Sequence, residues 1–427
     1  MRRFQASSPG FDAAFRAFLN ERRGSSPDVD EAVAAILDDV RTGGLPAVLR
    51  LAEKFDKAKL DESSIHVSAE EIEDGAVACP MPVRDALAFA AERIRKYHER
   101  QKPLDQSWTD EAGVKLGWRW TPLESVGIYV PGGRAAYPSS LLMNAVPAAV
   151  AGVGRIAMVT PPGRLEPAVL AAAQVAGVSE IWRIGGAQGV AALAYGAGPI
   201  LPVDKIVGPG NAYVTAAKRR LYGVVGIDAL AGPSEIVVVA DRYNNPDWIA
   251  ADLLSQAEHD PSAQSILITD DKAFSDDVAA AMTRQLMVLA TGEDAFNSWR
   301  DHGAIVIAPL ADSPALVDLI APEHVEFAVD EPEKLSDRVR HAGAIFLGRH
   351  TPEAVGDYVA GSNHVLPTSR SARFSSGLSV YDFLKRTSIV KCDPEAFARL
   401  GPATVILAEA EGLPAHARSA AIRLNHG

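Results

Sequence analysis

Apolar residues recur with a helical period through the first quarter of the chain. A segment opening at Asp28-Val-Asp-Glu keeps that period to Phe55, and Ser68-Ala-Glu-Glu71 has the form of a capping box that starts another helix. The pattern is expected to break near Pro80 and Pro82, where a ring cannot donate into the ladder, and to resume from Val83 to Gln101. From Ser125 the period changes. Short apolar runs at 125–130, 155–159, 180–184 and 205–207 alternate with Ala-rich helical stretches, and a second series follows at 235–240, 265–269, 304–307, 325–328 and 344–347. Runs of this length between helices are the signature of βαβ units around a parallel sheet. The predicted fold class is α/β: two Rossmann-like, doubly wound parallel-sheet units with a helical N-terminal segment and a C-terminal extension. The expected boundaries are 1–120 for the helical segment, 121–232 and 233–368 for the two units, and 369–427 for the extension.

Composition narrows the function. A chain of 427 residues with 48% hydrophobic and 22% charged residues is long enough for roughly two to three domains with real cores. No apolar run approaches the ~20 residues of a membrane span, and MRRFQASSPG has no apolar stretch after its arginines, so the cytoplasm is the default compartment. A net charge of −12 without a basic stripe argues against nucleic acid and for a small-molecule partner. Cys79 and Cys392 stand alone and far apart, so any metal here must use nitrogen and oxygen ligands.

Several short stretches carry chemistry. Asn245-Pro246 is a good helix start, so a helix should run to about His259 and stop before Pro261, placing Gln256 and His259 on one face at its end. In open parallel sheets ligands gather at the carboxyl ends of the strands, and this helix end is expected there. A capped helix end with an exposed histidine would read the same way. Pro322-Glu-His324 sets a carboxylate beside an imidazole in a turn before a strand, a pair able to exchange protons near neutral pH or simply to be solvated. Asp357 and His364 are placed in a Gly-rich loop after the strand ending near Leu347, and Glu411 with His416 in a polar tail. The turns Val130-Pro-Gly-Gly133, Ile184-Gly-Gly-Ala-Gln188 and Val207-Gly-Pro-Gly-Asn211 follow apolar runs and precede helices, as phosphate-binding turns do. None has the G-x-G-x-x-G form, and tight βα connections would look the same.

Taken together, Tyr129–Gly133, Gly185–Gln188, Gly208–Asn211, Ala231–Glu235, Leu253–His259, Pro322–His324, Gly356-Asp357, Gly361–Pro367 and Glu411–His416 closely resemble the histidinol dehydrogenase family, in its order and spacing over nearly the full chain. The resemblance implies one zinc ion on Gln256, His259, Asp357 and His416. It implies Glu323 and His324 as the acid–base pair, and substrate contacts from Ser234, Gln256, His259, Glu323, His324, Asp357, Glu411 and His416. Tyr129, Gln188 and Asn211 match the family's NAD-binding positions. The implied reaction is oxidation of L-histidinol to L-histidine through L-histidinal in two NAD-dependent steps, the last stage of histidine biosynthesis. The implied assembly is a homodimer whose C-terminal extension enters the partner's site. A related zinc- and NAD-dependent dehydrogenase acting on another substrate, such as a sulfonated diol, would share the core; Glu411 and His416 favour histidinol. A zinc hydrolase in which Glu323 activates water, and a non-catalytic binding scaffold, are the readings from other classes.

Overall fold

The computed structural model describes residues 1–21, 27–132 and 137–424. Two parallel sheets dominate it. The first contains strands Ser125–Tyr129, Arg155–Thr160, Glu180–Arg183, Lys205–Val207 and Gly226–Ile227, and numbering them in chain order gives the spatial order 3-2-1-4-5. The second contains Glu235–Ala240, Gln264–Thr269, Ala304–Ile307, His324–Ala328 and Ala344–Leu347 in the same order. Each sheet therefore reverses direction between its first and fourth strands, the switch point where doubly wound folds open a crevice.

Strand side chains alternate between the two faces, so each sheet feeds two cores. Val126, Ile128, Met158 and Ile181 pack under helices Pro138–Ala151 and Pro167–Ala176. Ala157, Val159, Trp182 and Ile206 pack under Gly186–Tyr195 and Ala212–Leu221. The N-terminal helices complete both layers. Ala69–Ala78, with the capping box at Ser68 and Glu71, and Met81–Glu99 join the first core. Pro27–Leu51, kinked at Gly44, joins the second. Pro82 sits in the first turn of its helix, where its missing N–H costs nothing.

Two features were not expected from the sequence pattern. Arg2–Gln5 is a strand, not part of a helical segment, and extends the second sheet by pairing in parallel with Ala304–Ile307. Gln106–Thr109 and Lys115–Pro122 form an antiparallel sheet with Leu384–Lys391. The extension thus ties back to residues before the first unit, and helices Pro394–Ala410 and Pro414–Leu424 then pack on each other with Ile406 and Leu407 exposed. Gly133 of the first glycine turn lies outside the described residues. Among those described, no helix is long and apolar enough to cross a membrane.

The segment leaving the second sheet crosses to the first unit. Asn363 Nδ2 donates to the Met143 carbonyl at 2.6 Å, and Leu378, Val380 and Phe383 enter the first unit's core. The Gly208 turn is pinned from two sides. Its φ is 108°, and a Cβ there would lie 2.3 Å from the Tyr129 carbonyl oxygen, so only glycine fits. Its N–H donates to Asp228 at 2.8 Å and its carbonyl accepts from Lys218 at 2.9 Å, while Lys218 and Asp228 form a buried ion pair. Removing one partner leaves the other as an uncompensated buried charge. Asp228→Ala should therefore cost about 3–5 kcal/mol in urea unfolding.

Candidate active site

Glu323 and His324 begin the fourth strand of the second sheet, beside Glu235 at the head of its first strand. Both are buried, 6% and 3% exposed, and His324 Nδ1 lies 3.7 Å from Glu323 Oε2. Glu323 Oε2 accepts the Glu235 N–H at 3.0 Å. His324 Nδ1 is 3.1 Å from the Glu235 carbonyl oxygen. A carbonyl can only accept, so Nδ1 carries a proton and Nε2 is the nitrogen left to face the rest of the site. Nε2 stands 3.7 Å from Asp357 Oδ1 and 3.8 Å from Glu353 Oε1.

Asp357 is not in a loop, as the glycine-rich sequence suggested. It lies on the short helix Glu353–Tyr358, four residues after Glu353, so both carboxylates share the face turned to His324. Donor atoms of His324, Glu353 and Asp357 all lie within 4.8 Å of one another, close enough to hold one cation. The Asp357 carbonyl is 3.0 Å from His364 Nδ1, and His364 feels the charge of both His324 and His259.

Helix Pro246–Ala257, capped by Asn245, brings in Gln256, but its geometry departs from expectation twice. The helix ends at Ala257, and His259 lies in the turn beyond it, exposed, with its N–H on the Gln256 carbonyl at 3.2 Å. The helix also runs back along the sheet, so its C-terminus lies at the amino ends of the strands, where Glu323 and Glu235 are, and not at the carboxyl ends. Gln256 is 1% exposed and its side-chain oxygen has no hydrogen-bond partner among the described residues. His259 lines a cavity of about 700 Å³ together with Tyr358, Leu142 and Tyr137. Ser234 is half-buried, immediately before the Glu235 strand. Glu411 and His416 are exposed on the C-terminal helix pair, and the single chain does not bring them into the metal-capable group.

Tyr129, Gln188 and Asn211 lie at the carboxyl ends of the first sheet, on both sides of its switch point. The Tyr129 hydroxyl accepts the Gly186 N–H at 3.0 Å, and burial pushes it up to about 12. Gln188 donates to Asp56 at 3.2 Å, and Asn211 caps helix Ala212–Leu221 through the N–H groups of Tyr213 and Val214. Tyr137, at this edge, and His259, at the amino edge of the second sheet, border the same cavity, so the two edges face each other.

Sequence reasoning missed Glu235, Glu326 and Glu353. The first two had a signal. A carboxylate inside an otherwise apolar run, as in Glu235-Ile-Val-Val-Val and Val325-Glu-Phe-Ala, must be buried with a partner if the run is a central strand. Glu353 had none beyond its spacing to Asp357.

Desolvation dominates the electrostatics. It pushes Glu323 up to about 7, despite the opposing field of His324 and the Glu235 N–H bond. Burial works against charge on His324 as well, but Glu323, Asp357 and Glu353 outweigh it and raise the imidazole to about 10. Glu353 is raised to about 8 by burial and by the Asp357 charge. Burial opposes ionisation of Asp357 too, but the adjacent His324 imidazole and the field of His364 hold it at about 2.

The fold and site define a doubly wound α/β protein with a buried carboxylate–imidazole pair, an arrangement suited to taking protons from a bound hydroxyl or water. The histidinol dehydrogenase family profile matches residues 19–424. The histidinol dehydrogenase of Caulobacter vibrioides is 76% identical over 427 residues, covering 100% of both chains, and that of Rhodospirillum rubrum is 60% identical over 429 residues, covering 100% of this chain and 99% of its own. The crystal structure of histidinol dehydrogenase from Elizabethkingia anophelis superposes with a TM-score of 0.94 at 35% identity, covering 99% of this chain and 98% of that one. The chain belongs to the histidinol dehydrogenase family and is an oxidoreductase.

The shifts fix a pH dependence. Glu323, Glu353 and His324 hold protons more tightly folded than unfolded, so the stability each lends is complete below its ordinary value and is lost as pH rises through about 7, about 8 and about 10. Asp357 has the opposite sign, and its contribution is lost as pH falls toward about 2. Urea midpoints of the chelator-treated protein should fall from about pH 5 upward, and Glu323→Gln should flatten the fall between about pH 5 and about pH 8.

Proposed function

We propose that the protein oxidises L-histidinol to L-histidine through L-histidinal, with two NAD consumed per substrate and one zinc ion per subunit, as the last step of histidine biosynthesis in the cytoplasm. Membership of the family supports the substrate, and the observation that carries the chemistry is the buried Glu323–His324 pair with Asp357 3.7 Å from His324 Nε2. The sulfonated-diol alternative is not favoured, because the near relatives compared are histidinol dehydrogenases.

In this reading Gln256, His259 and Asp357 of one chain and His416 of a second copy hold zinc. The donor set fits. It is nitrogen and oxygen only, and the Gln256 side-chain oxygen and His324 Nε2 are buried with no hydrogen-bond partner among the described residues, as groups facing a cation or substrate would be. When bound, zinc supplies a fixed anchor for substrate nitrogen atoms, and NAD held near Tyr129, Gln188 and Asn211 accepts hydride. With a cation held at Asp357, less of that carboxylate's field would act on His324, which would favour its neutral form as the base.

The chain's own groups then divide the work. Ser234, Glu411 and His416 bind the substrate, with the last two reaching the site from the second copy of a homodimer. His324 takes the hydroxyl proton through Nε2 as hydride leaves carbon for the cofactor. Glu323 takes a proton from the water that adds to the aldehyde, and a second hydride leaves the hydrate to give the acid. Burial suits Glu323 to this task, since a carboxyl near 7 can accept and release a proton at working pH.

Two experiments test this. With L-histidinol, NAD and metal, two reduced cofactors should form per substrate and none after chelation; Glu323→Gln should release one quickly and the second slowly. A single equivalent from the parent protein, or turnover that survives chelation, overturns the reading. Mixing His416→Ala chains with His324→Ala chains should restore part of the activity, because one site in each mixed dimer is then intact. No recovery despite demonstrated subunit exchange would refute shared sites.

A further inference from the structure

Three elements carry the groups assigned above: strand His324–Ala328 carries the base, helix Glu353–Tyr358 carries Asp357, and helix Pro246–Ala257 carries Gln256. One side chain joins all three. Glu326 lies two residues along the strand from His324, hence on the same face, and is 2% exposed. Its Oε1 accepts the N–H of Glu353, the first residue of the Asp357 helix. Its carboxyl group is also hydrogen-bonded to Asp252, one turn before Gln256. Glu353, itself 2% exposed, closes the arrangement by accepting from the Ser255 hydroxyl at 3.0 Å.

These contacts do specific work. The residue at the N-cap of the Asp357 helix is Pro352, which has no side-chain acceptor, so the first N–H of this short helix has no local cap. Glu326 supplies one from the neighbouring strand. Burial raises both Asp252, to about 6, and Glu326, so the two carboxyl groups share a proton instead of repelling as anions.

We propose that Glu326 is a positioning residue for the metal site: through the Glu353 N–H and Asp252 it fixes the helices bearing Asp357 and Gln256 against the His324 strand, setting the spacing of the zinc ligands. The inference rests on the assignment of Asp357 and Gln256 as ligands. Glu326 reaches neither metal nor substrate and acts through their carriers, as groups that orient metal ligands do in other sites.

The test compares Glu326→Gln, which keeps an oxygen for Glu353 and an amide donor for Asp252, with Glu326→Leu, which keeps the bulk and loses both. Metal-free protein is titrated with zinc chloride alone, NAD affinity is measured in parallel, and hydrogen exchange is followed at the backbone amides of residues 353–358. Glu326→Leu should bind zinc about 10- to 100-fold more weakly, while Glu326→Gln stays within about threefold of the parent. NAD affinity should be unchanged in both, and exchange should accelerate only in Glu326→Leu. Unchanged zinc affinity in Glu326→Leu, or equal losses in both variants, overturns the proposal. If the parent takes up no zinc, the ligand assignment fails, and the exchange comparison alone decides whether Glu326 holds the helix. Should Glu326→Leu fail to fold, Asp252→Ala removes one arm only, and zinc affinity equal to the parent's would then overturn it.

Discussion

An ionised group taken out of water must find opposite charge, a proton or a cation, and the second sheet is organised around that demand. Glu235, Glu323, Glu326, Glu353 and His324 are all nearly inaccessible to solvent, and Asp357 closes the cluster. Their burial would be ruinous one by one. Together they are tolerable, because Glu323 and Glu326 each accept a backbone N–H, Glu353 accepts a hydroxyl and Asp357 stands beside the imidazole. The resulting site holds protons strongly and has room among its donor atoms for one cation.

The two sheets have the same strand order but opposite edges in use. In the first, Tyr129, Gln188 and Asn211 gather at the carboxyl ends beside the switch point, as doubly wound folds generally arrange their ligands. In the second, Glu323 and His324 start their strand, and Gln256 lies toward the same edge because its helix runs antiparallel to the strands it covers. The carboxyl edge of one sheet therefore looks onto the amino edge of the other across a single cavity.

Much of this could be read from the chain, and the failures have physical causes. Alternation of short apolar runs with Ala-rich helices gave the parallel sheets, and the Ser68 and Asn245 caps located helix starts because their hydrogen bonds are local. Spacing put Gln256 near His259 but could not say which sheet edge they face, since that depends on the direction of the returning helix. Asp357 reads as a loop residue because Gly356 and Gly361 dilute the helical signal, yet six residues are enough for about one and a half turns once Glu326 caps the first. Arg2–Gln5 has too few apolar residues to announce a strand; its pairing is made by Ala304–Ile307, far beyond any local window. Glu411 and His416 stay exposed and outside the metal-capable group in the single chain, a placement that depends on how the last two helices pack and not on local pattern.

That first strand bears on how the protein is made. Its residues leave the ribosome well before their partner strand, and the edge they complete does not exist until about 300 further residues have been synthesised. Phe4 packs against Phe15 and Phe18 of the following helix, so a small aromatic cluster can shelter the segment while it waits. Docking it is then a closure of very long range, slow by the entropy of the intervening loop, and it can only seal the second sheet after that sheet has formed.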